Sequence, residues 1–213
     1  LNNLVDRHNR SYFGLEFSYC TIPNELVPFD YQTFEAFPGH VEAGVTNLET
    51  GEAEYKEVTT EDKHFRLLQA TCAMPLMFPV FHLDGKPYLD GGAADAVPYR
   101  RAFEQGCDRV VVILTKPRSF VRKPEKLLPL IQRRYREYPN FCRTMEERPE
   151  RDNQSRAELF RLEKEGKALV IAPNTLHGVG RIEHNVDKLR MLWAEGYQQG
   201  MENMEQIRSF MDR

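Results

Sequence analysis

The chain has 213 residues, 41% hydrophobic and 29% charged, with a formal net charge of −3. That length buries a core without disulfide help, the composition is that of a folded globular protein, and the charge gives no reason to expect nucleic acid as a partner. No apolar run approaches the ~20 residues of a membrane span. The chain opens Leu1-Asn2-Asn3-Leu4, with no basic-then-apolar leader. Leu rather than Met at position 1 reads as a natural start that lies elsewhere. The cysteines Cys20, Cys72, Cys107 and Cys142 form no C-x-x-C pair and read as free cytosolic thiols in or near the core. No close His or Cys spacing suits zinc, so neither a metal nor another cofactor is expected.

In chain order, residues 1–38 read as connections and short helices, with Asp30 as the N-cap of one of them. Residues 41–48 and 52–58 form a hairpin around Thr50-Gly51. A helix is expected from Thr60-Glu61-Asp62-Lys63 to Met74, with Pro75 ending it. Asp84-Gly85 is a hairpin turn between residues 80–83 and 86–89. A helix over 97–105, with Pro98 in its first turn and Gly106 at its end, leads to the β-branched run Val110–Leu114. Such a run suits a strand buried on both faces, and strand–helix–strand implies a parallel sheet. Residues 116–156 are charged and punctuated by proline. Ser155-Arg156-Ala157-Glu158 reads as a capping box opening a helix that Gly166 closes. Residues 168–172 form a short buried strand. Leu189, Leu192, Trp193, Tyr197, Met201, Met204 and Ile207 place an apolar stripe on a final helix.

The motif with most chemistry is Tyr88-Leu89-Asp90-Gly91-Gly92, followed by Ala93-Ala94-Asp95-Ala96-Val97-Pro98. It sets an acid where an apolar strand ends. Glycines behind it reach unusual backbone conformations and admit close neighbours. A carboxylate held on such a turn can orient a partner or take its proton, or simply cap the turn. No G-x-S-x-G nucleophile elbow occurs in the sequence, and Ser11, Ser18, Ser119, Ser155 and Ser209 all lack that context. The six histidines have no neighbours that suggest a triad. The basic stretch from Arg118 to Arg136 is interleaved with acids and reads as a solvated face. The methionines of the last helix read as core fillers.

An ordered set of segments resembles the bacterial patatin-like phospholipase family. Ala70-Thr71-Cys72-Ala73-Met74-Pro75-Leu76-Met77-Phe78-Pro79 is similar to the family's segment ahead of its acid. Asp84 to Gly92 is similar to its hairpin and D-G-G/A motif, and Gly106 to Val112 to its next strand. Ile22 to Asp30 and Val45 to Gly51 fit one bacterial branch. D-G-G alone is weak; the ordered set, spanning residues 20–200, is specific. The resemblance implies a three-layer α/β/α sandwich with a mainly parallel central sheet. It makes residues 1–213 a single partial domain, its N-terminal portion missing. It implies Asp90 as the catalytic acid of a Ser–Asp dyad, Gly91 and Gly92 as the loop beside it, and a nucleophile outside this chain. Asp95 stands where the family commonly has Asn, and an ionised carboxylate cannot donate.

A dyad needs its carboxylate to accept the serine proton directly, which requires partial desolvation. The expected activity is lipid acyl-ester hydrolysis, with a lipid or other acyl ester as substrate. The alternatives are an inactive fragment or scaffold acting as a binding module and, more weakly, an acyltransferase. A cytoplasmic protein is expected, with peripheral membrane contact and homo-oligomerisation through an open sheet edge as further expectations.

Overall fold

A computed structural model describes residues 14–62, 64–180 and 182–212. The chain divides into two compact units. The first comprises residues up to Ala96 together with Lys123–Arg151, the second Val97–Arg122 with Asp152 onward.

The first unit opens with a π-helical segment, α1 (Phe17–Leu26), and the short α2 (Tyr31–Glu35). Asp30 caps α2 as expected, accepting from the Thr33 N–H at 2.9 Å. A four-stranded sheet follows, built from β1 (Glu42–Asn47), β2 (Ala53–Glu57), β3 (Phe81–Leu83) and β4 (Lys86–Asp90) in the order β2-β1-β4-β3. All three pairings are antiparallel. Two tight turns dictate this. Gly51 has φ +75, while Asp84 and Gly85 have φ +51 and +79, the paired positive values of a two-residue hairpin.

Val45, Asn47 and Tyr88 share one face of the sheet, Thr46 and Leu89 the other. Val45 and Tyr88 pack with Leu67 and Ala70 of α3 (Arg66–Thr71). Leu89 and Leu48 pack with Ile131 of α5 (Leu128–Arg134) and Phe141 and Met145 of α6 (Pro139–Lys164). The helix expected from Thr60 is shortened to α3, because Phe65 sits at φ +50, outside helical space, and the Asp62 carboxylate accepts from the Leu67 N–H; Lys63 lies outside the described residues. The cysteines are free, and Cys72 and Cys107 are exposed rather than in the core.

The second unit contains α4 (Tyr99–Glu104), β5 (Val110–Ile113), β6 (Ala168–Ile171) and α7 (Val186–Met211). β5 and β6 form a two-stranded parallel sheet, and Val110, Val112 and Val170 pack with Tyr99 and Leu159. Val112 is 8% exposed, but Ile113 is 73% exposed, so β5 is buried along one face and not on both as expected, because its only pairing among the described residues is with β6.

The expected three-layer sandwich with a mainly parallel central sheet is therefore corrected. The larger sheet is antiparallel, and the only parallel pairing among the described residues is β5 with β6. The strand–helix–strand run from β4 to β5 does not close a parallel unit: β4 pairs with β1 and β3, β5 with β6. A second correction concerns Ser155-Arg156-Ala157-Glu158, which lies inside the continuous α6 and starts no helix. Gly166, at φ +72, does end that helix, with Lys167 N–H bonded to Leu162 C=O and Gly166 N–H to Glu163 C=O. No helix among the described residues is long and apolar enough to cross a membrane.

Candidate functional site around Asp90

The expected site residues lie together at the carboxyl end of β4. The Asp90 N–H donates to Ala73 C=O at 2.9 Å. Its carboxylate turns back on its own loop, Oδ1 accepting from the Gly92 N–H at 2.7 Å. Asp90 thus caps a single 3₁₀ turn, Gly91–Ala93, and is half-buried.

The two glycines face different neighbours. A Cβ on Gly91 would lie 2.2 Å from Gly44 O, so β1 leaves room only for hydrogen. A Cβ on Gly92 would lie 3.1 Å from Asp90 Oδ1 and 3.6 Å from Arg148 Nη2. The Arg148 guanidinium therefore reaches the turn that carries the acid.

Thr46 and Arg151 complete the frame. Buried Thr46 Oγ1 donates to Asp90 C=O at 2.8 Å and accepts from the Ala94 N–H at 3.1 Å. Arg151 Nη2 donates to Ala93 C=O at 2.7 Å and to Thr144 C=O at 3.1 Å. Asp95 acts as an acceptor, taking the Tyr55 hydroxyl at 2.6 Å, a bond that a carboxylate makes without donating.

Beneath the loop, buried Asn47 donates to Glu54 Oε1 and the Tyr88 hydroxyl to Glu54 Oε2, at 2.7 and 2.6 Å. Burial alone would raise the Glu54 carboxyl; the Tyr88 and Asn47 hydrogen bonds, with Lys86 and Lys56, outweigh it and hold the group below its ordinary value. Burial and the bond to Glu54 push the Tyr88 phenol up.

Sequence reasoning missed Arg148, Arg151 and Thr46. Thr144, Arg148 and Arg151 recur at one-face helical spacing. That stretch was read as charged and broken by proline, and charges on a helix look solvated until burial is known. Among the described residues, no group of three His, Cys, Asp or Glu side chains is placed to hold a metal ion.

This loop falls inside a span that matches a family model. A patatin-like phospholipase family model matches residues 4–103. Residues 138–212 match a domain of unknown function, DUF6363. No curated protein matches the chain. The patatin-like match spans a little under half of the chain and links that half to the hydrolases.

It corrects two expectations. The resemblance was placed over residues 20–200, as the later part of a domain whose N-terminal portion is missing. The match instead begins at residue 4, in the N-terminal part, and stops within α4. The strand around Val110, expected inside the resemblance, lies beyond it, and α6 and α7 match a different family. The reading in which this chain contributes only the acid of a Ser–Asp dyad falls with the first expectation. It rested on the absent G-x-S-x-G elbow, whereas the patatin-like match runs over residues 4–103, the N-terminal part of the chain, and includes Asp90. Within the matched span the serines are Ser11 and Ser18. Ser18 is exposed on α1; Ser11 lies outside the described residues.

Proposed function

We propose that the chain is a serine-dependent carboxylic ester hydrolase acting on lipid acyl esters, with Asp90 as its acid–base carboxylate and Gly91 and Gly92 shaping the loop that presents it. The observation that carries this reading is the anchoring of Asp90 within the patatin-like span. The acid ends a strand, is tied through its backbone to Ala73 and Thr46, and is clasped by its own loop.

A carboxylate offers about four lone-pair sites, one of which accepts the Gly92 N–H. In the proposed reaction, Asp90 accepts the hydroxyl proton of a serine while that oxygen attacks the ester carbonyl carbon. The proton then passes to the departing alcohol, leaving an acyl-serine. Water gives a proton to Asp90 as its oxygen attacks the acyl carbon, and the fatty acid leaves as the serine recovers its proton.

The test is hydrolysis of a chromogenic short-chain ester by the purified chain and by Asp90→Asn, with a fluorophosphonate probe mapped by mass spectrometry. We expect turnover to fall on the order of 100-fold or more in Asp90→Asn, with unchanged circular dichroism, and the probe to map to Ser11 or Ser18. A folded chain that neither hydrolyses the ester nor takes the probe overturns the hydrolase reading. Hydrolysis that survives Asp90→Asn overturns the role of Asp90.

A further inference from the structure

The last helix presents its apolar side to solvent. Wound at about 100° per residue, Val186, Leu189, Trp193, Tyr197, Met204 and Met211 of α7 fall on one stripe, and all are exposed, Trp193 by 70% and Tyr197 by 61%. The Trp193 and Tyr197 rings stack 5.6 Å apart. The opposite side makes the attachments to the unit. Glu195 meets His177, Gln199 Nε2 donates to Ala172 C=O at 2.8 Å, and Phe210 C=O accepts from Arg109 at 3.0 Å. An amphipathic helix normally turns the other way, and an exposed apolar stripe of this length marks an interaction surface.

The charges beside the stripe select its occupant. Helices that lie on membranes carry lysine and arginine along the polar side. Here the charged side chains of α7 are Asp187, Glu195, Glu202 and Glu205 against Lys188, Arg190 and Arg208, with no excess of cations. Along one flank the charges run Asp187, Arg190, then Glu205, Arg208. Read backwards, the same flank offers the opposite sign at each place. Among the described residues Asp187 and Arg190 pair with each other, at 3.7 Å and highly exposed, a contact of little energetic weight and readily exchanged.

We infer that α7 docks antiparallel on the α7 of a second copy of this chain. With a two-fold axis near Gln198, Trp193 lies against the partner's Met204, and Tyr197 lies over the partner's Gly200, where the missing side chain admits the ring. Asp187 comes opposite the partner's Arg208, and Arg190 opposite the partner's Glu205. Two-fold symmetry repeats every contact, as an isologous interface requires.

Sedimentation velocity of the full chain over micromolar concentrations tests this, with circular dichroism confirming the fold. A concentration-dependent dimer is expected, and Trp193→Glu should leave a monomer. Arg190→Glu and Glu205→Arg should each weaken association at least about tenfold, because each sets like charges face to face. The double variant Arg190→Glu/Glu205→Arg should restore it. A chain that stays monomeric overturns the inference, as does a dimer indifferent to Trp193→Glu, such as one paired through the outer strands β2 or β3. Failure of the double variant to recover overturns the antiparallel register. A chain that is monomeric in solution and floats with neutral phosphatidylcholine vesicles would assign the stripe to a lipid surface instead.

Discussion

The two units hold their buried polar groups by different means. In the first, the acid's loop is fixed by backbone fit: Gly91 is pressed against Gly44, Asp90 N–H bonds to Ala73, and Thr46 bridges Asp90 and Ala94. In the second, charge compensation does the fixing. Asp152, 5% exposed, pairs with Arg122, while Arg156 donates to Pro117 C=O and has its guanidinium pulled below the ordinary value by burial and by Arg122, against the pull of Asp152. Arg118 forks onto Glu163 at 2.7 and 2.6 Å. The close fit at Gly91 fails with added volume, whereas a frame of paired charges fails when one charge is removed.

The sharpest way to break this comparison is Asp152→Asn. The change is nearly isosteric, yet it leaves buried guanidinium charge uncompensated, and a loss of about 3–5 kcal/mol is expected in urea unfolding. Gly91→Ala should cost about 1–3 kcal/mol or more through overpacking against β1, and should lower esterase activity along with stability. Gly85→Ala, where a Cβ meets open space, should cost about 1 kcal/mol for its positive φ alone. Equal losses at positions 85 and 91 would remove the argument for backbone fit.

Arg118→Lys should cost about 1 kcal/mol, since an ammonium cannot reproduce the two-pronged bond to Glu163. The smallest effect is one of pH. The hydrogen bonds from Arg118, against the upward pull of burial, hold the Glu163 carboxyl below its ordinary value, and Glu54 is also held low. A carboxyl lowered on folding contributes stability above its unfolded pKa, and that contribution disappears as pH falls through the folded pKa. Stability from these groups should therefore be level near neutrality and decline once pH drops below the ordinary glutamate range. Glu163→Gln and Glu54→Gln should each reduce the acid slope by a few tenths to about 1 kcal/mol, the groups being partly solvated. An acid transition unchanged in both variants would deny them that role.

Elements set by local chemistry could be read from the sequence. Asp84-Gly85 and Thr50-Gly51 specify hairpins, Asp30 a cap and Gly166 a helix end, because each acts on its own few residues. The Asp90-Gly91-Gly92 turn was legible for the same reason. Which strand pairs with which was not: residues 110–113 read correctly as a strand but not as one buried on both faces, since Ile113 is exposed, and their partner, Ala168–Ile171, lies far along the chain. Ser155 and Glu158 matched a helix start and were overridden by the helix running through them. Arg148, Arg151 and Thr46 escaped notice because burial, not residue type, gives them their part in the site. The methionines of α7 were assigned to a core because an apolar stripe does not say which way it faces.

The press of Gly91 on Gly44 has a consequence in time as well as space. The amides of Asp90 and Ala94 are bonded to Ala73 C=O and to Thr46 Oγ1, so their exchange with solvent requires those two contacts to open. Amide hydrogen exchange at Asp90 and Ala94 then reports how often the turn that carries the proposed acid leaves its frame.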